Sequence, residues 1–130
     1  MQAEELMHND LFMYGGNLCR FVIRSTDAIV QRLCDKTTYL PCAVREAEPI
    51  PLTEEIFKAN GFEKNPYYEE WVKPLNNQYK LRVSNKHISV VRGGTYPFNF
   101  VGNPTKYVHE LQHALRLCRL NELADNFKIK

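Results

Sequence analysis

The feature that most restricts the fold is a stretch of helical periodicity near the C-terminus, residues 104–119 (PTKYVHELQHALRLCR). At 100° per residue its apolar side chains fall on one stripe. The stripe comprises Pro104, Tyr107, Val108, Leu111, Ala114, Leu115 and Cys118. Asn103 and Pro104 are residue types typical of the N-cap and the first helical position. The pattern predicts an amphipathic helix whose stripe docks on a sheet.

Upstream, short apolar runs alternate with turn residues, which is typical of antiparallel strands. The N-terminal runs cover residues 11–14, 18–24, 28–33 and 37–44, and the later runs cover residues 67–73, 78–84, 87–92 and 96–101. Gly15, Gly16 and Asn17 supply the positive φ angles that a tight hairpin needs. Two groups of strands are therefore predicted, one on each side of a proline-containing connector.

The connector, residues 48–51, leads into a short helix with clear start and stop signals. Thr53 is a typical N-cap, and Leu52 with Phe57 can form a hydrophobic staple. Gly61 follows the last apolar residue as expected of a C′ position, with Phe62 placed to fold back onto the helix. We predict that this helix has a structural role.

The order of these elements predicts an α+β fold in a single compact domain, residues 1–130. Its 130 residues, of which 44% are hydrophobic, suffice for one core. We expect two sub-structures. Residues 10–47 form a small SH3-like curled β-sheet, since closure removes exposed strand edges. Residues 48–130 form the connector helix and an antiparallel β-meander packed against the C-terminal helix.

Charge and cysteine usage restrict the class of protein. The 17 Lys and Arg against 15 Asp and Glu give a net charge of +2, which lacks the basic footprint of a dedicated nucleic-acid binder. No apolar run is long enough for a membrane span and the N-terminus is unlike a secretory signal, so we predict a cytoplasmic protein without a membrane partner. Cys19, Cys34, Cys42 and Cys118 lack C-x-x-C spacing and are predicted to be reduced and buried.

One motif within the C-terminal helix has catalytic potential. His109, Glu110 and His113 fit the H-E-x-x-H pattern, in which two histidines one turn apart bind zinc and the glutamate acts as general base. A catalytic zinc site needs a third protein ligand, for which Glu122 and Asp125 are the candidates. A minimal zinc-dependent hydrolase is therefore one hypothesis.

Other residues disfavour the zinc hypothesis. Arg116 and Arg119 occupy the positions where the elongated zincin motif has glycine and histidine. Lys106 and Arg116 share the helix face of His109 and His113, and cations there oppose a dication. We therefore predict two surface histidines on a solvated face opposite the apolar stripe, no catalytic residue and no cofactor, with zinc as the alternative.

A second candidate surface lies in the later strands. Its members are aromatic residues interleaved with arginines, namely Tyr67, Tyr68, Trp71, Arg82 and Arg92. Such side chains can stack on bases while contacting phosphates, which predicts weak single-stranded nucleic-acid binding. The competing interpretation is that strand aromatics belong to the core. A protein partner, or a homodimer through an edge strand, stays open as well.

Two segments also carry a resemblance. Residues 48–64 (EPIPLTEEIFKANGFEK) and 106–117 (KYVHELQHALRL) resemble a family of small proteins of gut Bacteroidetes and their phages or mobile elements. The resemblance carries no assigned activity. It implies that HQLQN or HELQN can replace the H-E-x-x-H letters, which disfavours catalysis. The expected function is a non-catalytic binding or adaptor module, and the resemblance implies an association with phages or mobile elements.

Overall fold

The N-terminal residues form a four-stranded antiparallel sheet. Its strands are β1 (Leu11–Tyr14), β2 (Asn17–Ile23), β3 (Ala28–Arg32) and β4 (Thr38–Tyr39), in the order β1-β2-β3-β4. They belong to a computed structural model that describes residues 1, 5–67, 70–76, 78–84, 88–92, 97–101, 106–117 and 119–129. Gly15 and Gly16 join β1 to β2 with φ angles of 57° and 78°, which confirms the predicted hairpin turn.

Strand β1 faces two hydrophobic clusters because successive side chains of a strand point to opposite sides. Phe12 packs with Cys19, Phe21, Val30 and Val44 in a cluster belonging to the N-terminal sheet. Leu11 packs instead in a second cluster, together with helices and strands from the rest of the chain. β1 therefore contributes to both cores.

The prediction of a fourth strand over residues 37–44 is correct only for Thr38–Tyr39 and is wrong after them. β4 ends at Tyr39, and Pro41–Glu46 forms a 3₁₀ helix that buries the side chain of its own Val44. The proline has no N–H to donate to a sheet ladder and its φ angle suits the start of a helical turn, which explains the change.

The connector helix is confirmed as α1 (Glu54–Ala59). The Thr53 side chain accepts a hydrogen bond from the Ile56 N–H at 3.3 Å, as expected of an N-cap. Gly61 has a φ of 81°, and the Phe62 ring packs edge-on against Phe57 with centroids 5.4 Å apart. The helix buries Ile56 and Phe57 in the second cluster.

The second sheet is an antiparallel meander, as predicted, but it has five strands because the short β5 was not predicted. Its strands are β5 (Glu63–Lys64), β6 (Glu70–Pro74), β7 (Tyr79–Ser84), β8 (Ile88–Arg92) and β9 (Pro97–Val101), paired in sequence order. In the central strand β7, Leu81 and Val83 are buried, which confirms the alternation read from the sequence. Both belong to the same hydrophobic cluster as Leu111 and Leu115 of the C-terminal helix.

The C-terminal helix begins later than predicted. Tyr107 forms an isolated bridge with Pro51, and the Val108 N–H donates to the Ile50 carbonyl at 2.8 Å, so α2 covers Val108–Leu117 rather than starting at Pro104. The apolar stripe is confirmed where it is described, at Val108, Leu111, Ala114 and Leu115. Pro104 and Cys118 lie outside the described residues. A short helix that was not predicted, α3 (Asn121–Asp125), follows.

The protein is therefore an α+β fold of two antiparallel sheets with helices. Among the described residues, no helix is long and apolar enough to cross a membrane. The cysteine prediction is only partly right: Cys19 is buried, but Cys34 and Cys42 are exposed. Burial raises the pKa of the Cys19 thiol.

Candidate functional site

The polar face of α2 is covered by the N-terminal segment. His109 is 7% exposed and Gln112 is fully buried, whereas His113 is half-buried. The predicted solvated face of surface histidines is therefore wrong. A helical wheel locates the apolar stripe of α2, but it cannot reveal that residues 9–11 pack on the other side through polar contacts.

At the centre of this contact is the fully buried carboxylate of Asp10. It accepts a hydrogen bond from the Met7 N–H at 2.7 Å, contacts His113 Nε2, and pairs with Arg116 Nη1. Arg116 also reaches Asp125 at 3.5 Å. A carboxylate removed from water is stabilised only when such donors surround it. Asp10, His113 and Arg116 thus form an internal ion-pair network that ties β1 to α2.

The buried amide of Gln112 provides a second connection. Its Oε1 accepts a hydrogen bond from the Leu11 N–H at 2.9 Å. Its Nε2 donates to the carbonyls of Asn9 and Ala124 at 3.1 and 2.9 Å. The single side chain therefore satisfies backbone groups of the N-terminal segment and of α3.

Glu110 caps the start of α2. Its Oε1 accepts hydrogen bonds from the backbone N–H groups of Lys106 and Tyr107, both at 3.0 Å. These donors lie at the N-terminal end of the helix, where N–H groups have no intrahelical partner. Glu110 is the third residue of α2, and a glutamate at that position commonly reaches back to such groups. The carboxylate proposed as a general base has a structural role in this arrangement.

His109 lies between two rings. Its ring is nearly parallel to that of Tyr107, at 6.1 Å between centroids, and stands edge-on to His113 at 5.7 Å. The His109 Nδ1 is buried, and it has no hydrogen-bond partner among the residues that the structure describes. A buried imidazole of this kind stays neutral unless an acceptor is supplied for the additional N–H of the charged form.

Burial is the main reason that the pKa of His109 is lowered from its ordinary value of 6.5, and the neighbouring His113 lowers it further. The carboxylates of Asp10, Glu110 and Glu5 act in the opposite direction. Protonation of His109 is therefore less favourable in the folded protein than in the unfolded chain.

This lowered pKa predicts acid sensitivity. Because the unfolded chain takes up a proton near pH 6.5 and the folded protein resists it, we expect the free energy of unfolding to fall as the pH drops through about 6.5. The loss is complete once the pH is below the lowered folded pKa. Urea unfolding of wild type and His109→Phe across this range measures it. The variant should lose less stability in acid, and equal losses would contradict the assignment.

The zinc ligands predicted from H-E-x-x-H are only partly available. The Nε2 of His113 is bonded to Asp10, and Asp125, one candidate third ligand, faces Arg116. Glu122 is exposed in the first turn of α3. In the part of the chain that is described, no cluster of three His, Cys, Asp or Glu groups is arranged to hold a metal ion.

The aromatic and basic surface is dispersed by the fold. Tyr67 is 87% exposed. Trp71, in contrast, stacks on Phe57 at 5.0 Å and packs against the core, and Arg82 forms a bidentate pair with Glu70 at 2.7–3.1 Å. Tyr68 lies outside the described residues, as does the side chain of Arg92 in β8. Among the described members of the predicted set, Tyr67 is the side chain that stands mostly in solvent.

A groove beside the first hairpin was missed in the sequence. It encloses about 610 Å³ and is lined by Met13, Tyr14, Gly15, Gly16, Asn17, Tyr39, Glu46 and Glu48. We call it the tyrosine–glutamate groove. The rings of Tyr14 and Tyr39 meet edge-to-face at 5.1 Å, while both glutamates are exposed. In the sequence, the glycine turn was the only signal of this groove. The two tyrosines are far apart in the chain and come together only through strand pairing.

A second groove of about 500 Å³ lies between residues 73–75 and 119–123. Its lysine, Lys73, donates to the Asn60 carbonyl at 2.6 Å and approaches the Phe62 ring. One cation of this groove is therefore used in packing, and the other, exposed Arg119, shares the lining with the carboxylate of Glu122. The tyrosine–glutamate groove is the stronger candidate site.

No protein-family model, no curated protein and no solved structure matches the chain.

Proposed function

We propose that the chain is a non-catalytic binding module that docks a partner protein in the tyrosine–glutamate groove. The observation that carries this proposal is a contrast in how polar groups are used. In H-E-x-x-H they bond to the protein itself, through Glu110 and His113. In the groove, carboxylates stand in solvent beside aromatic rings.

The alternative of a zinc hydrolase requires these internal bonds to be given up. Glu110 would have to release the start of α2, and His113 would have to release Asp10 and leave a buried carboxylate with fewer donors. Both changes are unfavourable. The contacts support a structural role for the motif.

Weak single-stranded nucleic-acid binding is the competing binding proposal, and exposed Tyr67 supports it. Two of its other members, Trp71 and Arg82, already have partners within the fold. The groove is unsuited to it because Glu46 and Glu48 repel phosphates. A protein partner therefore fits the described surfaces better.

The proposal has finer parts, which rest on the sequence. They are an SH3-like curl of residues 10–47, a cytoplasmic location, a possible homodimer, and kinship with small proteins of gut Bacteroidetes and their phages. The kinship is supported by the motifs at residues 48–64 and 106–117.

Metal analysis tests the non-catalytic part. For protein purified without chelators, we expect far less than one zinc per chain, and no change in zinc content in Glu110→Gln or His113→Ala. Glu110→Gln keeps an acceptor for the helix N–H groups, so the fold should persist while a general base would be lost. One zinc per chain that is lost in His113→Ala, together with a hydrolytic activity that is lost in folded Glu110→Gln, would overturn the proposal.

A further inference from the structure

We propose that the tyrosine–glutamate groove binds a basic segment of a partner protein by taking an arginine or lysine side chain between its two carboxylates and two aromatic rings. This inference rests on the proposed function and names the chemistry of the partner. It follows from four features of the groove: the placement of its charges, the geometry of its rings, its rigidity and its open end.

The two carboxylates share one rim. Ala47, between them, is buried and has extended backbone angles of φ −77° and ψ 150°. Glu46 and Glu48 both line the groove, and both are exposed. No ion pair is found for either among the described residues.

The aromatic walls complement a cation. Tyr14 and Tyr39 meet edge-to-face, with an interplanar angle of 68°. A tyrosine ring carries negative potential on its face and attracts ammonium or guanidinium groups, the latter most often. Carboxylates beside such rings add charge-assisted hydrogen bonds, and a guanidinium can make two of them to one carboxylate.

Backbone pairing fixes both sides of the groove. Glu48 and Met13 exchange both backbone hydrogen bonds, at 2.8 and 2.9 Å, which fixes the rim against β1. Tyr39 is held opposite Val30 by the pairing of β4 with β3. Little conformational freedom remains to be lost at the backbone on binding, so a modest number of contacts can give measurable affinity.

The hairpin tip leaves room for a peptide. A side chain added at Gly15 or Gly16 would meet no atom within 4 Å, so the space beside the turn is open. An inorganic cation is a poorer occupant, because Ca²⁺ needs six to eight oxygen ligands and the rim offers two carboxylates. An organic cation attached to a flexible chain matches both the charge and the open end.

The test uses a short fluorescein-labelled glycine–serine peptide that carries arginines, with glutamine and glutamate versions as comparison probes and a single-stranded oligonucleotide as a further one. We expect the arginine peptide alone to bind by fluorescence anisotropy at low salt. Its amide NMR perturbations should centre on residues 13–17, 39 and 46–48. The double variant Glu46→Gln/Glu48→Gln should weaken binding about tenfold or more, and added salt should weaken binding to wild type.

The control variant is Glu55→Gln/Glu63→Gln, which makes the same change in net charge at exposed sites in α1 and β5. It should bind as wild type does. Equal losses in both double variants would overturn the inference, since they would indicate non-specific attraction. Absence of arginine-peptide binding would overturn it as well.

Other outcomes separate this inference from the proposed function. Binding of the glutamine or glutamate peptide at the groove would overturn the choice of a basic partner and leave a protein-binding module standing. Preference for the oligonucleotide at the groove would overturn both. Zinc with a Glu110-dependent hydrolysis would overturn the proposed function, whatever the peptide does.

Discussion

Replacing Asp10 by alanine is expected to lower the free energy of unfolding by about 3–5 kcal/mol, the typical effect of removing one partner from a buried ion pair. Arg116 and His113 would lose their buried acceptor, and the Met7 N–H would lose its partner. Of its ion pairs with described residues, Arg116 would retain the longer contact with Asp125. Urea unfolding, analysed as a two-state transition, measures the change.

A matched control is available at the surface. Asp27 forms a bidentate pair with Arg24, but both side chains are about half exposed. Exposed pairs of this kind contribute little. Asp27→Ala should leave the urea midpoint within experimental scatter of wild type. If Asp10→Ala unfolded at the same urea concentration as Asp27→Ala, the ion-pair network would not be an anchor of the fold.

The second large effect is expected from Gln112→Leu, which keeps apolar bulk and removes the amide. The Leu11 N–H and the Asn9 carbonyl would lose their bonds to the amide, at a cost of about 1–3 kcal/mol for each group that water does not reach. The Ala124 carbonyl would keep its backbone donors, the N–H groups of Asn126 and Phe127. We expect a total loss of about 2–5 kcal/mol, because parts of the N-terminal segment can rehydrate.

Hydrogen exchange distinguishes this mechanism from a general loss of packing. In Gln112→Leu the Leu11 amide should exchange much faster, and its protection should fall more than that of Leu81 in the second sheet. Gln78→Leu, at an exposed glutamine, serves as the control and should alter neither stability nor exchange at Leu11. A uniform change at Leu11 and Leu81 would contradict a local role for Gln112.

Elements with local signals were predictable from the sequence. The Thr53 cap, the Gly61 stop and the alternation in β7 depend on residues within a few positions of one another, and all three are present in the structure. The stripe of α2 was readable for the same reason. The 3₁₀ helix Pro41–Glu46 was not predicted, because tertiary packing of Val44 competes with weak strand propensity there.

The polar face of α2 could not be read in this way. Its partners, Asp10 and Leu11, lie 101 to 106 positions away in the chain, and no periodicity connects them. The polar side chains of this face were therefore predicted to be solvated, whereas in the structure they contact the N-terminal segment. The tyrosine–glutamate groove escaped notice for a related reason. The pairing of β3 with β4 places Tyr39 near Tyr14. The residues of a strand do not reveal which other strand it pairs with.

The contact between α2 and residues 9–11 also affects how the chain reaches its native state. During synthesis Asp10 leaves the ribosome about a hundred residues before Arg116, so the N-terminal sheet can assemble while its key carboxylate still lacks a cation. Burying that carboxylate early would be unfavourable. We therefore expect the first strand to dock last, after α2 has emerged, and this long-range closure to limit the folding rate.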